Sequence, residues 1–149
     1  APERDFKEGV YHPGNWRKLL DYGCGKGLQY TEKLPWGMVN GVELPVDQWT
    51  TFDEWLGVEV YKYDPCVPGL DIPPPNNMKF DGVICTQVLQ TIPDADIPWV
   101  SEKLLSYTDK FCFVSLNFQS VAKKKKFFYY LFYFLYLRNY ENDLIQTHL

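Results

Sequence analysis

The 149-residue sequence predicts an α/β domain built on a mainly parallel sheet with flanking helices. Three observations carry this prediction. Short apolar runs of strand length at 17–22, 58–63, 80–86 and 111–116 alternate with stretches of helical spacing. The first run leads straight into a glycine turn, Gly23-Cys24-Gly25-Lys26-Gly27. The last run, Phe111-Cys112-Phe113-Val114-Ser115-Leu116, is apolar nearly throughout, as expected of a parallel strand covered on both faces. Strands alternating with helices form a parallel sheet. Right-handed crossovers then bring the loops that follow the strands to one edge, where ligands bind at the point of reversed strand order.

Taken in order, residues 1–17 are polar and rich in turns, with Pro13-Gly14 breaking any helix. After the glycine turn, 28–34 can continue as a helix closed by Pro35-Trp36-Gly37. Between 47 and 56, Trp49, Phe52 and Leu56 recur at helical spacing, with Asp47 as N-cap and Gly57 as stop. The strand at 58–63 ends at Asp64-Pro65, and the proline-rich 66–78 must be loop. Asp94 or Asp96 caps a helix running to Tyr107, with Pro98 in its first turn and Trp99, Val100 and Leu104 on one face. The length suits one core. It divides into a ligand-binding domain over 1–122 and a segment over 123–149 of different composition.

A formal charge of −4 leaves no clear nucleic-acid surface. The cysteines at 24, 66, 85 and 112 contain no CxxC pair, and the two histidines, His12 and His148, lie near the chain ends. Zinc spacing is therefore missing and no metal is expected. Cys85 and Cys112 read as small core residues, and reduced thiols suit a cytoplasmic protein. No charged, apolar and cleavable leader opens the sequence as given.

The turn 23–27 has the context of a nucleotide site, since glycines reach positive φ and let a ligand touch the backbone. A dinucleotide would place its pyrophosphate there. Asp21, two residues before the first glycine, would repel that anion, and the GxGxG spacing departs from GxGxxG. A ligand with an ammonium and a sulfonium fits Asp21 by charge.

The run LLDYGCGKG (19–27) resembles motif I of the class I S-adenosylmethionine (SAM)-dependent methyltransferases. FDGVICTQVLQTI (80–92) is similar to their fourth-strand motif, in which a strand, a polar residue and a Val-Leu pair open the next helix. With the strand ending in Tyr63-Asp64-Pro65, the resemblance runs over 19–116 and looks nearest to small methyltransferase-like proteins common in phages and bacteria. It implies a Rossmann-like sheet, SAM as cofactor and methyl transfer to an acceptor it does not identify. The resemblance assigns Asp21, Gly23, Gly25 and Gly27 to the methionine half, with Tyr22 and Cys24 in the same turn. It assigns Asp64 to the ribose hydroxyls, Asp71 to the adenine amine, and Thr86 and Gln87 to the cofactor edge after the third strand. Asp64 also reads as a turn residue before proline, and Asp71 as a solvated loop residue. Asp81, at the far end of its strand, reads as structural.

The sequence departs from the pattern in places. Gln87 stands where Asp or Asn is common, and Gln90-Thr91 where Glu-His is common. The long spacing from Gly27 to Asp64 implies an insertion over 36–53. No residue is a convincing catalytic base; His12 reads first as a surface histidine and second, with Tyr11, as an N-terminal lid over the cofactor.

Four lysines at 123–126 precede eleven residues, 127–137, drawn from Phe, Tyr and Leu apart from nothing else. As a helix these span ~16 Å, short of the roughly 30 Å hydrocarbon core. They read first as an edge strand or packed helix. A shifted reading frame after the lysine run, which would leave the sheet truncated at its C-terminal strands, ranks second. Contact with a membrane surface ranks third. Two rivals stand beside methyl transfer: a non-catalytic SAM- or nucleotide-binding protein of the same fold, and an NAD-dependent oxidoreductase.

Overall fold

A computed structural model of the chain describes residues 16–37 and 40–115. Four strands, β1 (Lys18–Tyr22), β2 (Glu59–Tyr63), β3 (Phe80–Thr86) and β4 (Thr108–Ser115), form one sheet in the order β2-β1-β3-β4. Every pairing is parallel. With helices α1 (Phe52–Leu56) and α2 (Ile97–Tyr107) beside the sheet, this is a Rossmann-like α/β arrangement. The chain passes from β1 to β2 on one side and returns to β3 on the other, so strand order reverses at the carboxyl ends of β1 and β3.

Side-chain alternation sorts the sheet into two faces. Register neighbours Leu20, Val83 and Cys112 share one face, which α2 covers with Val100, Leu104 and Tyr107. Val100 and Leu104 are one helical turn apart, so both reach the sheet. Tyr107 brings a hydroxyl into this core and donates it to the Pro74 carbonyl at 2.8 Å, which ties down the proline-rich loop. On the opposite face Asp21, Ile84 and Phe113 stand side by side across three strands.

Four expectations need correction. The helix over 28–34 is a single 3-10 turn, Leu28–Tyr30. Leu34 instead pairs antiparallel with Thr50, and Leu28 lies exposed, so too few apolar contacts remain to hold a helix that short. The helix over 47–56 is split into a 3-10 turn, Val46–Gln48, and α1. The same Leu34–Thr50 pairing holds the chain extended between them. Asp47 therefore caps nothing in α1; Thr51 takes that place, its N–H donating to Glu54 Oε2 at 3.0 Å, while Gly57 does end the helix at φ 66°. Trp99 is half-exposed, off the buried face of α2, and donates its indole N–H to Asp96. Among the described residues the second face of β4 is covered only in part: Trp16 lies over Phe111, ring centroids 4.2 Å apart, while Phe113 remains 54 % exposed. The segment 123–149, the domain boundary at 122 and any C-terminal strands lie outside the described residues, as does His12.

Asp81 is structural, as its position suggests. Its carboxylate accepts the backbone N–H groups of Arg17 and Lys18 at 2.7 and 3.0 Å and meets Lys110 Nζ at 3.0 Å. Burial pushes its pKa up, but these donors outweigh burial and hold it below the ordinary 3.8. The stability it contributes is thus present above that value and lost as pH falls through the lower folded one. Asp81→Ala is expected to cost about 1–3 kcal/mol in urea unfolding at neutral pH, by leaving the start of β1 unpaired. The loss should shrink toward pH 3.

All four cysteines are unbridged, and among the described residues no helix is long and apolar enough to cross a membrane.

Candidate functional site

A cavity of about 510 Å³ opens on the sheet face opposite α2, at the carboxyl ends of β1 and β3. That volume lies in the ordinary range for small-molecule sites. The row Asp21, Ile84, Phe113 lines one side of it.

Asp21 dominates its electrostatics. The residue is 2 % exposed, and its Oδ2 accepts the Tyr30 hydroxyl at 2.6 Å and the Gln29 amide at 3.0 Å. Its Oδ1 is buried without a hydrogen-bond partner among the described residues. Burial raises the carboxyl's pKa; the Tyr30 and Gln29 bonds oppose the rise, and the nearby Asp64 charge adds to it. A buried carboxylate oxygen with no donor is costly. What it lacks is a cation or a strong donor.

The glycine turn presents backbone to the same cavity. Gly23 and Cys24 donate their N–H groups to the Tyr63 carbonyl at 2.7 and 3.1 Å, pinning the turn to the end of β2. Gly23, at φ 87°, passes so close to the start of the loop after β3 that a Cβ would lie 2.2 Å from Val88 Cγ2. Gly25 differs. Its φ is 59°, yet a Cβ there would meet nothing within 4 Å, so its backbone faces open space.

Of the residues singled out in the sequence, Asp21, Gly23, Cys24, Gly25, Thr86 and Gln87 line the cavity. Tyr22 faces the other way, into the α2 core, its ring 4.9 Å from that of Tyr63. Gly27, buried at φ 68°, starts the 3-10 turn behind the cavity wall. Asp64 acts as a strut beside the cavity: its Oδ2 accepts the Gly25 N–H at 2.8 Å and its Oδ1 the Cys66 N–H at 2.9 Å. A carboxylate has lone pairs to spare for further donors. Asp71 lies on an exposed turn, where its Oδ1 accepts the Gly69 N–H. Gln87 adopts φ 60°, and its side chain spans the edge: Nε2 donates to Ser115 Oγ at 3.3 Å, and Oε1 accepts the Gln90 amide at 2.7 Å. The two glutamines that depart from the family pattern are therefore partners of each other.

Sequence reasoning missed the rest of the lining. Gln29 and Tyr30 enter because the 3-10 turn folds them onto Asp21. Trp36 and Phe52, rings 4.9 Å apart, form an aromatic wall from the segment identified as an insertion. The high aromatic content, 17 % of the sequence, was the one available signal, and composition does not say which rings meet. Among the described residues no group of three or more His, Cys, Asp or Glu side chains is placed to hold a metal ion.

Compared with protein families, with curated proteins and with solved structures, the chain finds no match.

Proposed function

We propose that the protein is a SAM-dependent methyltransferase whose cofactor occupies the cavity at the ends of β1 and β3. The observation that carries this reading is the unpartnered Oδ1 of Asp21, buried in a cavity wall beside an open glycine backbone. The residues fit the cofactor by charge and by space: the carboxylate oxygen suits an ammonium, and Gly25 leaves room for a ligand against the backbone. When bound, SAM supplies an electrophilic methyl group on a sulfonium. The protein's part is to hold and orient its two substrates and to exclude water.

Asp21 would hold the ammonium, and the turn at Gly23, Gly25 and Gly27 would admit the methionine half. Asp64, already bracing Gly25, would turn its spare lone pairs to the ribose hydroxyls, while Asp71 and the loop around it would take the adenine end. Thr86 and Gln87 would bound the site on the β3 side. A cytoplasmic location goes with this reading, the four thiols being unbridged.

An NAD-dependent oxidoreductase fits less well. A pyrophosphate asks for helix N–H groups and no nearby anion. Here the glycine turn runs into three residues of 3-10 helix and faces Asp21. Calorimetry decides: SAM and S-adenosylhomocysteine are expected to bind and NADH not measurably, and tighter binding of NADH would overturn the assignment. A protein that binds SAM but transfers its methyl to no acceptor would be a non-catalytic relative of the fold.

Gly25→Val separates the cavity from the fold. A branched residue at φ 59° is strained, which costs about 1–2 kcal/mol of stability. With nothing within 4 Å of the new Cβ, no clash adds to that. The expected outcome is a folded protein with SAM binding lost. Unchanged affinity would place the cofactor elsewhere.

A further inference from the structure

The cavity lining is of two chemical kinds. One is Asp21 and the glycine turn. The other is aromatic: Trp36 and Phe52 from the insertion, and the half-exposed Phe113 from β4, in the same sheet row as Asp21. Trp36 Nε1 is buried and has no acceptor among the described residues. An indole N–H donates only, so what it lacks is an acceptor atom on a ligand. No lysine, arginine or histidine among the described residues lines the cavity to neutralise an anion, and Asp21 would repel one. The missing ligand is therefore not an anion, is flat enough to lie against aromatic rings, and bears an acceptor atom.

The lining also restricts the chemistry. The Cys24 thiol is pushed up to about 11, by burial first and then by the charges of Asp21 and Asp64. The Tyr30 hydroxyl is committed to Asp21, and burial together with that carboxylate raises its pKa further still. Asp21 is taken by the ammonium in the reading above. Among the described residues the lining thus offers no base to an acceptor that must lose a proton. Methylation of a neutral ring nitrogen needs none. The N–CH3 bond forms from the nitrogen lone pair as the donor's S–CH3 bond breaks, the positive charge moves from sulfur to the ring, and no proton is released. The charged product then lies against aromatic faces, which attract cations.

We propose that Trp36, Phe52 and Phe113 form the acceptor subsite, and that the acceptor is a neutral, planar nitrogen heteroaromatic. One of its acceptor atoms takes the Trp36 N–H, and a second, a ring nitrogen, is methylated. The inference rests on the SAM reading and extends it to the substrate class.

Quinoxaline, neutral and bicyclic with two ring nitrogens, is the probe, and 2-naphthol, which must lose a proton to react, is the contrast. Quinoxaline binding to the full chain is measured by tryptophan fluorescence, with and without S-adenosylhomocysteine. SAM binding is measured separately by calorimetry. Trp36→Phe keeps a ring and removes the N–H, and Phe113→Ala alters an exposed position that carries little of the core. Each is expected to weaken quinoxaline roughly tenfold, with a smaller change in affinity for S-adenosylhomocysteine. With SAM present, N-methylquinoxalinium should form at a rate that does not rise with pH, and 2-naphthol should not be methylated. Equal quinoxaline affinity in wild type and both variants would overturn the subsite. Methylation of 2-naphthol in preference, at a rate climbing with pH, would overturn the substrate class. Failure of SAM to bind would overturn the reading beneath both, and it is seen independently of the quinoxaline titration.

Discussion

Asp21→Asn is expected to weaken SAM by about 1.5–3 kcal/mol, roughly ten- to a hundredfold or somewhat more, while leaving the protein folded. The amide keeps one oxygen for Tyr30 and Gln29 but removes the charge that an ammonium would meet at Oδ1. The stability of the free protein should respond in the opposite sense. Asp21's folded pKa is raised, chiefly by burial, so its favourable contribution is present below the ordinary 3.8 and is lost as pH rises through the folded value. Above that value the wild type carries a buried charge that the asparagine variant lacks. Thermal unfolding without ligand should therefore favour the variant, relative to wild type, more at pH 7 than at pH 3. Ligand affinity in the wild type should fall as pH drops through the raised pKa, and this dependence should vanish in the variant. A variant that binds SAM as tightly as wild type, with the same pH profile, would show that Asp21 does not hold the ammonium.

Gly23→Ala should act on the fold rather than on the ligand alone. Its φ is 87°, and the added methyl would lie 2.2 Å from Val88 Cγ2 and 3.3 Å from two further Val88 atoms. Left-handed strain of about 1–2 kcal/mol and overpacking of about 1–3 kcal/mol give an expected loss of roughly 2–5 kcal/mol. The neighbouring Gly25→Val should cost less stability although it adds a larger side chain, because it faces open space. Urea unfolding of the two variants checks the order. If Gly25→Val proved the more destabilising, the close approach of the turn to Val88 would not be what requires glycine at 23.

Much of the fold was legible in local pattern. The strand Phe80–Thr86 falls where the apolar run places it, and Gly57 ends α1 where a left-handed residue is needed. The loop over 66–78 follows from its prolines, and the structural part of Asp81 from its position at the start of a strand. These features depend on near neighbours or on side-chain type, which a linear sequence displays directly. The same holds for the charge at Asp21 and the glycines that follow it.

What only the tertiary structure decided depends on contacts between distant residues. The Leu34–Thr50 pairing replaced a helix on one side and divided another, and neither segment announces its partner. Asp21 and Asp64 read in sequence as two ligand-binding carboxylates. The fold makes one a cavity wall with an unpartnered oxygen and the other a brace for Gly25, because burial and hydrogen bonding are set by what the rest of the chain places around each group. The aromatic wall has the same origin. Trp36 and Phe52 are sixteen positions apart, with no local spacing that pairs them, and Phe113 comes from β4. The sequence by itself determined that aromatics were plentiful; parallel register and the close approach of the insertion to the sheet decided which of them line one cavity with Asp21.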